Sequence, residues 1–231
     1  MLRDSIRIDS AEGRAISYVK ETGRSSRISA CSSHFVTNEY RLVRHTINNE
    51  VYIMANAVDA IKTKRDINKM KNALHGRDQM MFILGVSLGL RISDLLTLRI
   101  GDLRGQTHLK LREGKTGKIR PIKLSKTVQL AAAKLVGLDD AYIFRSRKGV
   151  NKPISRVQAY NILKAAADRA GLDIAIGTHT LRKTFGYQLH AKGIDITRIM
   201  KIFGHSSEAQ TLRYIGITAE EIEAAYEAIE V

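Results

Sequence analysis

The stretch THLKLREGKTGKIRPIKL, residues 107–124, decides the fold class. Leu109 and Leu111 alternate with polar residues on one arm, Ile122 and Leu124 do so on the other, and a glycine-containing turn lies between them. Period-two alternation about such a turn predicts a β-hairpin. Pro121 has no N–H to give to a ladder, so the second arm is expected at a sheet edge or with a local irregularity. The turn, EGKTGK, carries Lys115 and Lys118 out into solvent.

On both sides of the hairpin the periodicity is helical. Upstream, Asp66 is placed to cap a helix with Ile67, Met70 and Leu74 on one stripe. The apolar run MMFILGVSLGL, residues 80–90, follows; it is well short of the ~20 residues a membrane helix needs and predicts a buried helix. Downstream, SKTVQLAAAKL, SRVQAYNILKAAADRAG, THTLRKTFGYQLHAKG and DITRIMKIFG all have helical spacing, and Gly171, Gly193 and Gly204 stand where C-terminal stops belong. In the third segment Leu181, Phe185 and Leu189 form the apolar stripe, leaving His179, Arg182 and Gly186 on another face. In the fourth, Ile196, Ile199, Met200 and Phe203 are the buried stripe, and His205 stands just past the stop. Ser207 and Gln210 then form a capping box for the helix that carries Tyr214. A second box, Thr218 to Glu221, opens a terminal amphipathic helix over 218–231 with Ile222, Tyr226 and Ile229 on one side. The expected class is therefore mainly α with one small antiparallel sheet, an α+β domain.

Residues 1–60 have no sustained period; a helix is expected after Thr37, through EYRLVRHTI. The organisation predicted is an N-terminal extension over 1–60, a short or reduced DNA-binding region, before a main domain over 61–231. A length of 231 residues agrees, at roughly 150 residues per domain. Lys+Arg 38 against Asp+Glu 23 gives a net charge of +15. That balance favours a polyanionic partner through counterion release and steering. The single cysteine, Cys31, excludes an internal disulfide and a cysteine-rich zinc site, and is compatible with a reducing cytosol. The first ten residues carry charge without the apolar core of a secretion signal.

Six polar side chains sit where the apolar periodicity does not require them: Arg91, Lys115, His179, Arg182, His205 and Tyr214. Singly, each has a plain structural explanation. Arg91 can pair with Asp94 one turn on, Lys115 can be a solvated turn lysine, and Tyr214 can be packing beside Leu212 and Ile215.

Their order is more telling, because it resembles the catalytic signature of the tyrosine recombinase (phage integrase) family. The first arginine motif matches at GLRISDLLTL with Arg91, and Asp94 lies where the family has a supporting acidic residue. The hairpin lysine matches at Lys115 in GKTGKIRPI, the His-x-x-Arg box at THTLRKTF, the second histidine at FGHSS and the nucleophile at TLRYIGI. The resemblance covers residues 61 to 231 and implies the catalytic-domain fold of that family. It also implies double-stranded DNA as partner, a homotetramer on DNA, a cytoplasmic location, and no cofactor, metal, membrane or small-molecule ligand. The implied reaction is attack by Tyr214 on a DNA phosphodiester to give a 3′-phosphotyrosyl link and a free 5′-hydroxyl.

The residue types suit that chemistry. A phenol with pKa ≈ 10 is a poor nucleophile at neutral pH, so it needs a proton acceptor and a phosphate whose charge is already stabilised. Arg91 and Arg182 would hold the non-bridging oxygens with planar, permanently charged forks. Lys115 would protonate the leaving oxygen, His179 would accept the phenolic proton and His205 would donate to the phosphate. The family's usual N-terminal core-binding domain is longer than 60 residues, so this extension is expected to be truncated, replaced or reduced. Two other readings share these features. One is a DNA-binding regulator on a recombinase fold without strand exchange; the other is a type IB topoisomerase-like enzyme.

Overall fold

The computed structural model describes residues 6–9, 14–17, 43–47, 50–54, 58–112, 117, 119–217 and 221. The chain divides into two compact units, Met1–Ala57 and Val58–Val231.

In the first unit, β1 (Ile6–Asp9) pairs antiparallel with β2 (Arg14–Ser17), and β3 (Val43–Ile47) pairs with β4 (Glu50–Met54). The helix expected through EYRLVRHTI is thus replaced over residues 43–47 by a strand; its earlier part lies outside the described residues. Val43 and Ile47 are four apart, a spacing that fits one helical face and one strand face equally well. The partner arm decides between them. Val51, Tyr52 and Ile53 are β-formers, and the two-residue Asn48-Asn49 connection is hairpin chemistry. The single expected sheet is joined by two more, each two-stranded.

The second unit opens with a segment that is neither helix nor strand, residues 58–63, and then α1 (Lys64–Asn72). The cap of α1 is Thr63 and not Asp66: Thr63 Oγ1 accepts from the Asp66 N–H, and Asp66 sits in the first turn. A second bond, from the Thr63 hydroxyl to Asp66 Oδ2 at 2.8 Å, is the main reason the Asp66 carboxyl lies below its usual 3.8. Next comes α2 (Gly76–Leu88), with Met81, Phe82, Leu84, Gly85 and Leu88 all buried. These residues share one broad side of the helix, while Met80, Ile83, Val86 and Ser87 around them are half-buried. Two short helices not expected from the sequence follow, α3 (Ile92–Leu96) and α4 (Ile100–Leu103).

The hairpin is β5 (His108–Arg112) with β6 (Ile119–Lys123), in the register Leu109↔Ile122 and Lys110↔Pro121. Leu109, Leu111 and Leu124 are buried, so one face of the hairpin covers the core. The Leu124 N–H donates to Thr107 O. Alternation along an antiparallel ladder then puts Pro121 at a position that needs no N–H, and the pairing continues through it without a bulge.

Helices α5 (Lys126–Ala132), α6 (Arg156–Ala170), α7 (Thr180–His190), α8 (Ile196–Phe203) and α9 (Glu208–Ile215) complete the unit. The large core runs through α1 to α7 and includes the fully buried Phe82 and Phe144. A second, smaller core of Ile199, Phe203 and Ile215 ties α8 and α9 to α7. Ser207 caps α9 by accepting from the Gln210 N–H, while Gln210 Oε1 accepts from the Ser206 N–H and hydroxyl. The expected box therefore reaches one residue further back. The terminal helix expected over 218–231 lies outside the described residues apart from Glu221. No described helix is long and apolar enough to cross a membrane.

Candidate active site

Helix α7 organises the site because its two faces do different work. Leu181 is buried against α2, where Gly85 leaves room for it; a β-carbon on Gly85 would lie 2.5 Å from Leu181 Cδ1. The other face carries His179, Arg182 and Gly186. A β-carbon on Gly186 would lie 2.6 Å from Ile215 Cγ2 and from two atoms of the Phe203 ring. Glycine here lets α7 approach α8 and α9 closely, which brings the side chains of three helices within reach of one another.

Tyr214 projects from α9 so that its hydroxyl lies 3.2 Å from His179 Nδ1, the residue that caps the start of α7. This is hydrogen-bond distance across 35 residues of sequence. The His205 ring stands edge-on to Tyr214 at 5.0 Å between centroids, and its Nδ1 lies 3.1 Å from Thr211 Oγ1. Phe203 is the shared wall: its ring is 5.3 Å from both Tyr214 and His205.

Arg182 is buried, at 5% exposure. Its Nη1 donates to Gly89 O and its Nη2 to Phe203 O at 3.1 Å, while the guanidinium carbon lies 4.5 Å over the Phe203 ring. A guanidinium has five N–H donors, so two bonds to fixed carbonyls orient the whole planar fork. Arg91 caps α3, two residues beyond the Gly89 carbonyl that Arg182 uses, so both arginines stand at the C-terminal end of α2. Its Nη1 is 3.9 Å from Asp94 Oδ2, and Asp94 is buried. The buried carboxylate thus stands as an ion-pair partner of Arg91 three residues on in the sequence. Lys115 lies outside the described residues. Of the expected set, Arg182, His205 and Tyr214 therefore gather around Phe203 and His179 joins them through Tyr214, with Arg91 and Asp94 at the neighbouring helix end.

Sequence reading missed three participants. Lys183 is half-buried beside Tyr214, with Nζ 5.5 Å from the centre of the phenol ring, and donates to Val58 O at 2.7 Å. Burial pulls its pKa below the usual 10.5, and the nearby Asp59 carboxylate pulls it back up. Thr184 is fully buried and accepts from the Ile61 N–H at 2.8 Å, and Gln188 donates to Lys62 O at 2.7 Å. Together they fasten the opening segment of the unit along α7. The only sequence signal was polar residues at positions 183, 184 and 188 of an otherwise amphipathic helix, and that pattern does not tell a solvated face from one covered by irregular chain. Among the described residues, no cluster of three or more His, Cys, Asp or Glu side chains could hold a metal ion.

Comparison with known proteins agrees with this arrangement. The family model for the phage integrase family matches residues 56–221. A probable integrase/recombinase, YoeC, of Bacillus subtilis is 40% identical over 174 residues, covering 73% of this chain and 95% of YoeC. The tyrosine recombinase XerD of Corynebacterium glutamicum is 30% identical over 159 residues, covering 63% of this chain and 50% of XerD. This chain thus matches nearly all of YoeC but about half of XerD. Among solved structures, XerA recombinase superposes with a TM-score of 0.60 at 20% identity, over 74% of this chain and 66% of that one. The catalytic domain of bacteriophage HP1 integrase has a TM-score of 0.52 at 22% identity, over 73% of this chain and 94% of that domain. At these identities the structures speak to the fold, and it is the recombinase catalytic fold. The match across residues 56–221, taken with YoeC, shows that the chain belongs to the phage integrase family, the tyrosine recombinases.

Proposed function

We propose that the chain is a site-specific recombinase that cuts and rejoins double-stranded DNA through Tyr214. The observation that carries the reading is the 3.2 Å approach of the Tyr214 hydroxyl to His179 Nδ1 beside a buried, oriented arginine. With its proton on Nε2, His179 accepts the phenolic proton at Nδ1 as the Tyr214 oxygen attacks phosphorus. The P–O5′ bond breaks, Lys115 gives its proton to the leaving 5′-oxygen, and a 3′-phosphotyrosyl link remains. Rejoining runs the same steps backwards with a new 5′-hydroxyl. Arg91 and Arg182 hold the non-bridging oxygens and His205 donates to one of them, so charge stabilisation comes from fixed cationic donors.

A net charge of +15 supports DNA as the partner. One structural relative is lambda integrase, as a dimer bound to a COC′ core site. The resemblance to the tyrosine recombinases implies that this chain assembles on DNA as a homotetramer, in the cytoplasm. Residues 1–60 serve as a reduced DNA-binding extension and residues 61–231 as the catalytic domain.

The test is incubation of the full chain with nicked duplexes that carry candidate sites, followed by denaturing electrophoresis. A protein–DNA adduct in the parent and none in Tyr214→Phe is the expected result. Tight binding with no adduct on any site would make the chain a regulator instead. Relaxation of supercoiled plasmid without strand exchange would make it a topoisomerase.

A further inference from the structure

Lys183 follows the family arginine but takes no part in the reaction described above. Its ammonium is held by the Val58 carbonyl at 2.7 Å and lies 5.5 Å from the centre of the Tyr214 ring, on the side of the phenol reached from α7. The Val58 end of this arrangement is itself fixed. Asp59 exchanges two hydrogen bonds with Ala175, through Asp59 N–H to Ala175 O at 2.7 Å and Ala175 N–H to Asp59 Oδ2 at 2.8 Å. Gly177 packs under Val58, where a β-carbon would approach Val58 Cγ1 to 2.5 Å. The lysine therefore stands between an anchored stretch of backbone and the nucleophile.

We propose that Lys183 is a positioning residue for strand cleavage: its anchored ammonium, facing the Tyr214 ring, favours the phenolate that attacks phosphorus. This rests on the reading of Tyr214 as nucleophile. A cation over an aromatic face is attracted to the neutral ring, and the attraction grows when the ring carries the negative charge of a phenolate. Because the ammonium is partly desolvated, the field it exerts on the ring is less screened than that of a surface lysine. Among the described residues, the titratable groups facing Tyr214 include His179, at its hydroxyl, and His205, edge-on to its ring. Asp59 acts on Lys183 and tempers its effect. His179 takes the proton; Lys183 makes the proton easier to take. Val58 and Asp59 are the first residues of the second unit. Displacing that segment moves the lysine, so the nucleophile responds to how the chain enters the domain.

Two substitutions separate charge from hydrogen bonding. Lys183→Gln can still donate to Val58 O but is neutral, and Lys183→Arg keeps the charge. The first readout needs no DNA: the Tyr214 ring signal of full-length protein labelled with 13Cζ-tyrosine is titrated by NMR and assigned by its absence in Tyr214→Phe. Lys183→Gln is expected to raise the Tyr214 titration midpoint by about one pH unit, a ~10-fold change in ionisation constant, and Lys183→Arg to leave it near the parent's. The second readout is the pH profile of adduct formation on nicked duplex. In Lys183→Gln a ~10-fold deficit at neutral pH should shrink as pH rises, whereas a purely structural role would lower the rate by the same factor at every pH. Equal titration midpoints in the parent and Lys183→Gln, or equal shifts in the Gln and Arg variants, would overturn the assignment. If no variant, parent included, forms an adduct, the recombinase reading fails and the NMR titration still decides the lysine's effect on the phenol.

Discussion

Replacing Gly186 with alanine adds one methyl group at the point where α7 meets α8 and α9. The added carbon would lie 2.6 Å from Ile215 Cγ2 and equally close to Cε2 and Cζ of Phe203. Ordinary carbon contacts are ~3.5–4.0 Å, so the helices must part by roughly 1 Å. Neither neighbour yields easily, because Ile215 and Phe203 are themselves buried. Overpacking of this kind costs about 1–3 kcal/mol, against about 0.5–1 kcal/mol gained by removing a glycine from a helix. The expected net loss is about 1–2 kcal/mol, a fall in Tm of ~2–8 °C for a chain of this size. The larger effect is on the site. Moving α9 by roughly 1 Å stretches the 3.2 Å Tyr214–His179 contact beyond hydrogen-bond range. Misplacement on that scale costs a catalytic step about 10²-fold. Adduct formation on nicked duplex, measured beside a thermal melt, checks both parts. An alanine variant with a raised Tm and the parent's cleavage rate would refute the reasoning, since only the helix-propensity gain would then have been felt.

Other outcomes follow from single contacts. Arg182→Lys keeps the charge but loses the fork that spans Gly89 O and Phe203 O, and cleavage should fall roughly 10²- to 10³-fold in single-turnover assays. Thr184→Val preserves shape but strands the Ile61 N–H, and chemical denaturation should show a loss of about 1–3 kcal/mol. Asp66 has its carboxyl pKa lowered chiefly by the Thr63 hydroxyl, so its contribution to stability is present above 3.8 and lost as pH falls through the lowered folded value. NMR titration of Thr63→Ala should return the Asp66 midpoint toward 3.8 and reduce that pH dependence at the start of α1.

The reach of the sequence followed the strength of each local period. The hairpin was legible because alternation, a glycine-containing turn and Pro121 all agreed, and α6 to α9 because caps, stripes and glycine stops agreed. Tyr214 and the His-x-x-Arg box were legible as an ordered set but not as a contact, since nothing local says that residues 179 and 214 meet. That meeting depends on Gly186 being small, a fact about packing between helices. Val43 and Ile47 misled because their spacing satisfies two periods at once. Lys183, Thr184 and Gln188 were opaque for a related reason: a helix face covered by irregular backbone needs polar side chains, as does a face covered by water.

The two carbonyls that hold Arg182 belong to Gly89 and Phe203, at the points where α2 and α8 end. Both ends are turned by a glycine in the left-handed region, Gly89 at φ 60° and Gly204 at φ 68°. The arginine's aim is therefore stored in main-chain atoms that no side-chain deletion can remove. Changing where either helix stops would shift it, so Gly89 and Gly204 help set the direction of Arg182 without any side chain to touch it. Residues that look like punctuation in this sequence are, for Arg182, part of the instruction.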